Sequence, residues 1–160
     1  MHELEEILAF LDSIGIAARA GEVAPDSFLP GVRIESGALV FDRERLLWPG
    51  DLLHEAGHIA VTPASLRTQL DDRIEGEGTV TYAGEIEAIA WSYAATVHLG
   101  MDPALVFHAG GYQGRSPALL FSFACGVYPG AYGLAQAGMT TTTAAPGNGI
   151  YPRMLYWLRV

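Results

Sequence analysis

The chain has 160 residues, is 50% hydrophobic and 17% charged, and carries a formal net charge of −9. That size suits one ordinary domain with its own core, and the composition excludes a disordered tail. The basic residues are nine scattered arginines with no lysine, which excludes direct nucleic-acid binding, since that needs a basic surface, and makes a cation more welcome than an anion.

No apolar run approaches the roughly 20 residues that span a bilayer. The opening stretch MHELEEILAFLDSIG is acidic and amphipathic, unlike the basic start and apolar core of a signal peptide. A soluble cytoplasmic protein that does not engage a membrane is expected. Leu4, Ile7, Leu8, Leu11 and Ile14 recur at helical spacing, so 3–14 is predicted to be an amphipathic helix ending near Gly15. Residues 16–30 read as a loop. VRIES and ALVFDRE then read as two strands of a hairpin turning at Ser36-Gly37. Asp51 as N-cap and Pro63 as stop delimit a helix over about 52–62. A further turn or short helix follows at 64–71, and the Gly-punctuated acidic segment 73–84 reads as a mobile loop with a short extended piece.

EIEAIAWSYAATVHLG is an alanine-rich helix stopped by Gly100. Asp102-Pro103 and Ser116-Pro117 each open a further helix with a cap followed by proline. A short helix is predicted at 131–138, then a low-complexity loop at 140–149, then an apolar tail returning to the core. Neither an internal repeat nor a linker divides the chain, so 1–160 is expected to be a single domain. The lone cysteine, Cys125, excludes an intrachain disulfide, and its apolar setting predicts a buried thiol rather than a nucleophile.

The chemistry concentrates in the helix over 52–62. It contains His54-Glu55-Ala56-Gly57-His58, and the chance expectation of H-E-x-x-H in a chain of this composition is roughly 0.01. Positions i and i+4 project from one helical face, so His54 and His58 can offer ring nitrogens to a single zinc ion. Glu55, offset around the helix, stands beside such an ion and can act as general base on an attacking water. Gly57 costs helix propensity and leaves room beside the second histidine.

A catalytic zinc takes three protein ligands and keeps one position open. Candidates for the third are His98, His108, Asp71, Asp72, Glu75, Glu77, Glu85, Glu87 and Asp102. Glu85 fits a helix first turn, where the dipole favours a carboxylate without any metal. Glu87 shares a face with Trp91, Ala94 and His98, and a carboxylate on a packed face needs a partner, which zinc would supply.

The order of a strand (ALVFDRERL), an HEAGH helix and, about thirty residues on, an E-x-E-A-x-A helix resembles the ImmA/IrrE family of zincin metallopeptidases over about residues 31–98. The resemblance implies a gluzincin-type site. His54 and His58 would be the histidine ligands, Glu55 the general base and Glu87 the third ligand, with Glu85 the alternative two residues away. HEAGHIAV is also similar to the membrane proteases of the FtsH type, but the ATPase module and membrane segment of those proteins are not in this sequence.

Tyr82, His98, His108, Tyr112, Arg115 and Tyr128 could each steady an oxyanion, although packing explains each of them first. The aromatic bias of the last third suits core packing before a peptide groove or a homo-oligomeric contact. The expectation is therefore an α+β, zincin-like domain. A small β-sheet would pack on the HExxH helix and on a following Glu-bearing helix, with extra C-terminal helices. It would use Zn2+ to hydrolyse a bond in a peptide or protein substrate. The alternative is a non-catalytic interaction or regulatory module that keeps the zincin fold, either metal-free or with a structural zinc closed by a fourth protein ligand, for which His98, His108 and Glu85 are the candidates.

Overall fold

The computed structural model describes residues 2–71, 82–144 and 149–160. Its class is α+β: a small mixed sheet and several helices around one connected cluster of buried side chains. Helix α1 (His2–Ser13) buries Leu4, Ile7, Phe10 and Leu11, a stripe at helical spacing. It stops at Gly15 (φ 85°), where the Ile16 amide reaches back to the Leu11 carbonyl at 2.9 Å and satisfies an end carbonyl.

The sheet comprises β1 (Ala18–Ala20), β2 (Val32–Glu35) and β3 (Ala38–Phe41), in the order β1-β3-β2. The β2–β3 hairpin turns at Ser36 and Gly37, both at positive φ (50° and 75°), a two-residue turn whose twist matches the strands. Glu35 pairs with Ala38 and Val32 with Phe41. Strand β1 falls inside the expected loop 16–30 and pairs parallel to β3. Its sequence, Ala-Arg-Ala, has no apolar alternation to reveal it; the pairing arises because β3 is central and has an edge to fill.

Helix α2 (Asp51–Val61) is buried along its whole length except at His58, which is half-buried. It packs on β2 and β3 on one side and on α4 (Tyr82–Leu99) on the other. Asp51 is not the N-cap of α2. Gly50 holds that position, because the Leu105 backbone passes so close that a Cβ could not fit, and Asp51 lies one residue inside, paired with His108. A short helix α3 (Ala64–Arg67) follows. The loop expected over 73–84 lies outside the described residues up to 81, and from 82 onward the chain is already in α4.

Asp102 caps as expected, its carboxylate accepting from the Ala104 amide at 2.9 Å, but what it opens is a single 3₁₀ turn, Pro103–Leu105. Helix α5 (Ser116–Ala124) starts at the Ser-Pro pair, although Ser116 spends its hydroxyl on the His108 carbonyl (2.7 Å) and does not cap the helix. Cys125, expected to be buried, is exposed. α5 is apolar on all sides while its neighbours cover only part of it: Phe123 is buried, yet Phe121 remains 72% exposed. Helix α6 is Ala131–Gln136.

The tail returns to the core, as expected. Trp157 packs edge-on against Phe10 and Trp91 and accepts the Trp91 indole N–H on its carbonyl at 2.9 Å. The Arg159 amide donates to the Ala60 carbonyl at 2.9 Å, tying the tail to the end of α2. Among the described residues, no helix is long and apolar enough to cross a membrane.

Candidate metal centre

The close approach of α2 to α4 builds the site. Gly57 faces Ala88, and a Cβ on Gly57 would lie 2.8 Å from the Ala88 carbonyl oxygen and 3.1 Å from the Ser92 hydroxyl. Ser92 donates to the Ala88 carbonyl at 2.7 Å, with the Leu53 carbonyl of α2 also in reach at 3.1 Å. Gly57 therefore makes room for the α4 backbone, and not only for the histidine beside it. Gly57→Ala gains about 1 kcal/mol of helix propensity but forces apart two packed backbones, at about 1–3 kcal/mol. The variant is expected to unfold at lower urea than the wild type. A higher midpoint would show that the helices separate freely.

The face that α4 turns to α2 is marked by Ala88 and Ser92, and one turn before Ala88 on that face stands Glu85. His58 Nε2 lies 3.0 Å from one Glu85 carboxylate oxygen, His54 Nε2 3.7 Å from the other, and the two Nε2 atoms are 3.2 Å apart. These atoms form a group able to hold one metal ion. Four ligands at zinc's usual 2.0–2.1 Å stand about 3.4 Å from one another in a tetrahedron, and the two ring nitrogens, 3.2 Å apart, and the His58–Glu85 contact at 3.0 Å are close to that spacing. Two neutral nitrogens and one carboxylate are also a donor set that zinc accepts. Among the described residues, no other group of histidine, cysteine or acidic side chains has this form.

Glu87, the third ligand implied by the family resemblance, is not brought to the histidines. Two residues along a helix are about 200° apart around its axis, so Glu87 points to the far side of α4. Its carboxylate lies against Gly133 of α6, where a Cβ would displace it, and 4.0 Å from the Arg159 guanidinium. The expectation that this carboxylate needs a partner is met by an arginine of the tail. Burial raises its pKa and Arg159 partly opposes the shift.

The electrostatics suit a cation. Burial, then the charge of His58, push the His54 pKa down to about 4, so near neutrality the ring is uncharged and carries a lone pair. Burial works to raise Glu85, but the His58 hydrogen bond, the two histidines and Arg115 outweigh it, and the carboxyl is held below its ordinary range. His54 is 8% exposed while the Glu85 side chain keeps 39% of its surface, so the group opens to solvent on the α4 side. Glu55, next to His54 on α2, is 6% exposed.

Behind His54 stands Tyr112, its hydroxyl 2.8 Å from His54 Nδ1 and its ring edge-on to the imidazole. Burial, then the carboxylates of Glu85, Asp51 and Glu55 around it, raise the phenol pKa well above its ordinary value. Tyr112 and Gln113 both take left-handed backbone (φ 56° and 52°), at a cost of about 1–3 kcal/mol each. The loop carrying them is pinned at its start. His108 Nε2 lies 2.8 Å from the buried Asp51 carboxylate, its ring stacks on Trp48 at 4.2 Å, and its carbonyl accepts from Ser116. Burial raises Asp51, with His108 acting against the rise.

No family model, curated protein or solved structure matches the chain. The site therefore rests on its own geometry.

The remaining sequence candidates lie elsewhere. His98 packs with Phe10 and Trp157 at the far end of α4, and Tyr128 stacks among Tyr93, Phe123 and Tyr151. His108 belongs to the Asp51 pair, Asp71 accepts the Ser36 amide at 2.6 Å and Asp102 caps its 3₁₀ turn. Arg115 acts on Glu85 through its charge. Asp72, Glu75, Glu77 and the Tyr82 side chain lie outside what the structure describes. Sequence reasoning underrated Tyr112, whose position depends on two left-handed residues that no sequence signal announces. It also took Asp51 only for a cap.

Proposed function

We propose that the protein is a zinc-dependent metallopeptidase, with α2 and α4 clasping one Zn2+ in a zincin-like arrangement and Glu85 as third ligand in the place the family resemblance gave to Glu87. The observation that carries this is the close grouping of His54, His58 and Glu85 donor atoms, with Glu55 adjacent on the same helix. Zinc held there would polarise a scissile carbonyl and lower the pKa of an attacking water.

The chain's own residues do the rest. The two neutral imidazoles and the Glu85 carboxylate bind and orient the ion, leaving it a net positive charge. Glu55 takes a proton from the attacking water at a carboxylate oxygen and hands it to the leaving amine nitrogen. Neither His98 nor His108 joins the group, and among the described residues there is no fourth ligand. A fourth position left to water would favour catalysis over the closed site of a structural module.

The zinc-reconstituted protein, incubated with a mixture of unstructured peptides, is expected to generate new N-termini detectable by mass spectrometry. A chelator should stop this and added zinc restore it. Cleavage that survives complete removal of metal would overturn the proposal, as would zinc-loaded protein that cuts nothing in a mixture covering all residue pairs.

A further inference from the structure

Tyr112 is tied to a candidate ligand on the side away from the ion. A ligating histidine keeps its ring plane and tautomer only if its second nitrogen is held, and that second partner is commonly a carboxylate or a backbone carbonyl. For His54 the partner in place is a phenol oxygen, 2.8 Å from Nδ1. If Nε2 gives its lone pair to a metal, the single proton of the neutral ring sits on Nδ1 and points at the Tyr112 oxygen. We propose that Tyr112 is a positioning residue for the metal centre: it accepts the His54 Nδ1–H and so fixes the tautomer that presents Nε2 to the ion. This rests on the metal site proposed above and adds to it a determinant of metal affinity that touches neither metal nor substrate.

The surroundings show how Tyr112 is kept in register. Its ring packs on Phe107 at 5.3 Å and edge-on to His54 at 5.2 Å. Its backbone is in the left-handed region, as is that of Gln113, which turns the side chain inward from an otherwise exposed loop. The loop begins at His108, which is clamped by Asp51 at 2.8 Å, by the Trp48 ring and by the Ser116 hydroxyl. Gly110 lies so close to the Trp48 ring that a Cβ there would collide with it. Asp51 is one turn before His54 on α2, so the helix that supplies the ligand also anchors the loop that orients it. The His58 Nε2 faces His54 and Glu85. The hydroxyl of Tyr112 reaches His54 Nδ1, so its loss bears on His54 first.

The test uses the full chain as wild type, as Tyr112→Phe, which keeps the ring packing and removes only the hydroxyl, and as Tyr132→Phe, a tyrosine that is 70% exposed. Zinc affinity is measured by chelator competition, and the His54 ring nitrogens are observed by long-range 1H–15N correlation in the zinc-loaded proteins. Tyr112→Phe is expected to bind zinc roughly 10- to 100-fold more weakly and to lose the slowly exchanging His54 Nδ1–H signal, while Tyr132→Phe matches the wild type in both. Equal affinity in Tyr112→Phe and wild type overturns the inference and leaves the metal site standing. Weaker binding with the Nδ1–H signal unchanged also overturns it, because the hydroxyl would then act through the fold alone. A wild type that takes up no zinc overturns the metal site itself, and the inference with it.

Discussion

Glu85→Ala is expected to lose zinc, while Glu87→Gln keeps it. The two carboxylates are two residues apart on α4, yet only Glu85 faces the α2 histidines, at 3.0 and 3.7 Å from their Nε2 atoms. A zinc site of four ligands is worth about 10–16 kcal/mol, or roughly 2.5–4 kcal/mol for each ligand. Losing one corresponds to a Kd weaker by about two to three orders of magnitude. Glu87→Gln removes only a partly exposed charge 4.0 Å from Arg159, a pairing worth at most about 1 kcal/mol. Because burial already raises the Glu87 pKa, removing its charge costs the fold little. Elemental analysis of both variants after reconstitution and dialysis decides the matter. Zinc retained without Glu85 and lost without Glu87 would contradict the geometry.

Glu55→Gln is expected to separate binding from chemistry. Glu55 is not one of the three grouped donors, so the variant should hold zinc as tightly as the wild type. It should cleave peptides about 10²- to 10⁴-fold more slowly, the usual contribution of a positioned general base. The isosteric amide keeps the volume of a side chain that is 6% exposed, so a loss of fold does not account for the slower rate. Undiminished cleavage would remove Glu55 from the mechanism. A loss of zinc in parallel with activity would assign it to the metal instead.

Much of the fold was legible because local chemistry announced it. The Ser36-Gly37 turn, the Leu4–Ile7–Leu11 stripe and the Gly15 stop are short-range signals, and the structure follows them. Strand β1 was not legible, since Ala18–Ala20 is a strand only because the edge of β3 is available to it. Cys125 was misjudged because an apolar stretch says nothing about which side of a helix finds neighbours.

At the site, the helix, the histidine pair and the competition between Glu85 and Glu87 were all readable. What decides between the two glutamates is the register of α4 against α2, set by Gly57 on Ala88. The sequence carried that clue: Gly57, Ala88 and Ser92 are small residues suited to a close crossing, and Ala88 lies one turn from Glu85. Glu87 does have a partner, but that partner is Arg159, seventy-two positions away in sequence, which no local pattern announces. Tyr112 was the least legible, since its place depends on a pinned loop and two left-handed residues.

The most direct test of the central claim is X-ray absorption at the zinc edge of the reconstituted wild-type protein. The expected result is one zinc per chain, bound by two imidazoles and by oxygen at about 2.0–2.1 Å, with one coordination position exchangeable for a small anion such as cyanide. Failure to take up zinc, or a shell closed by four protein ligands, would contradict it.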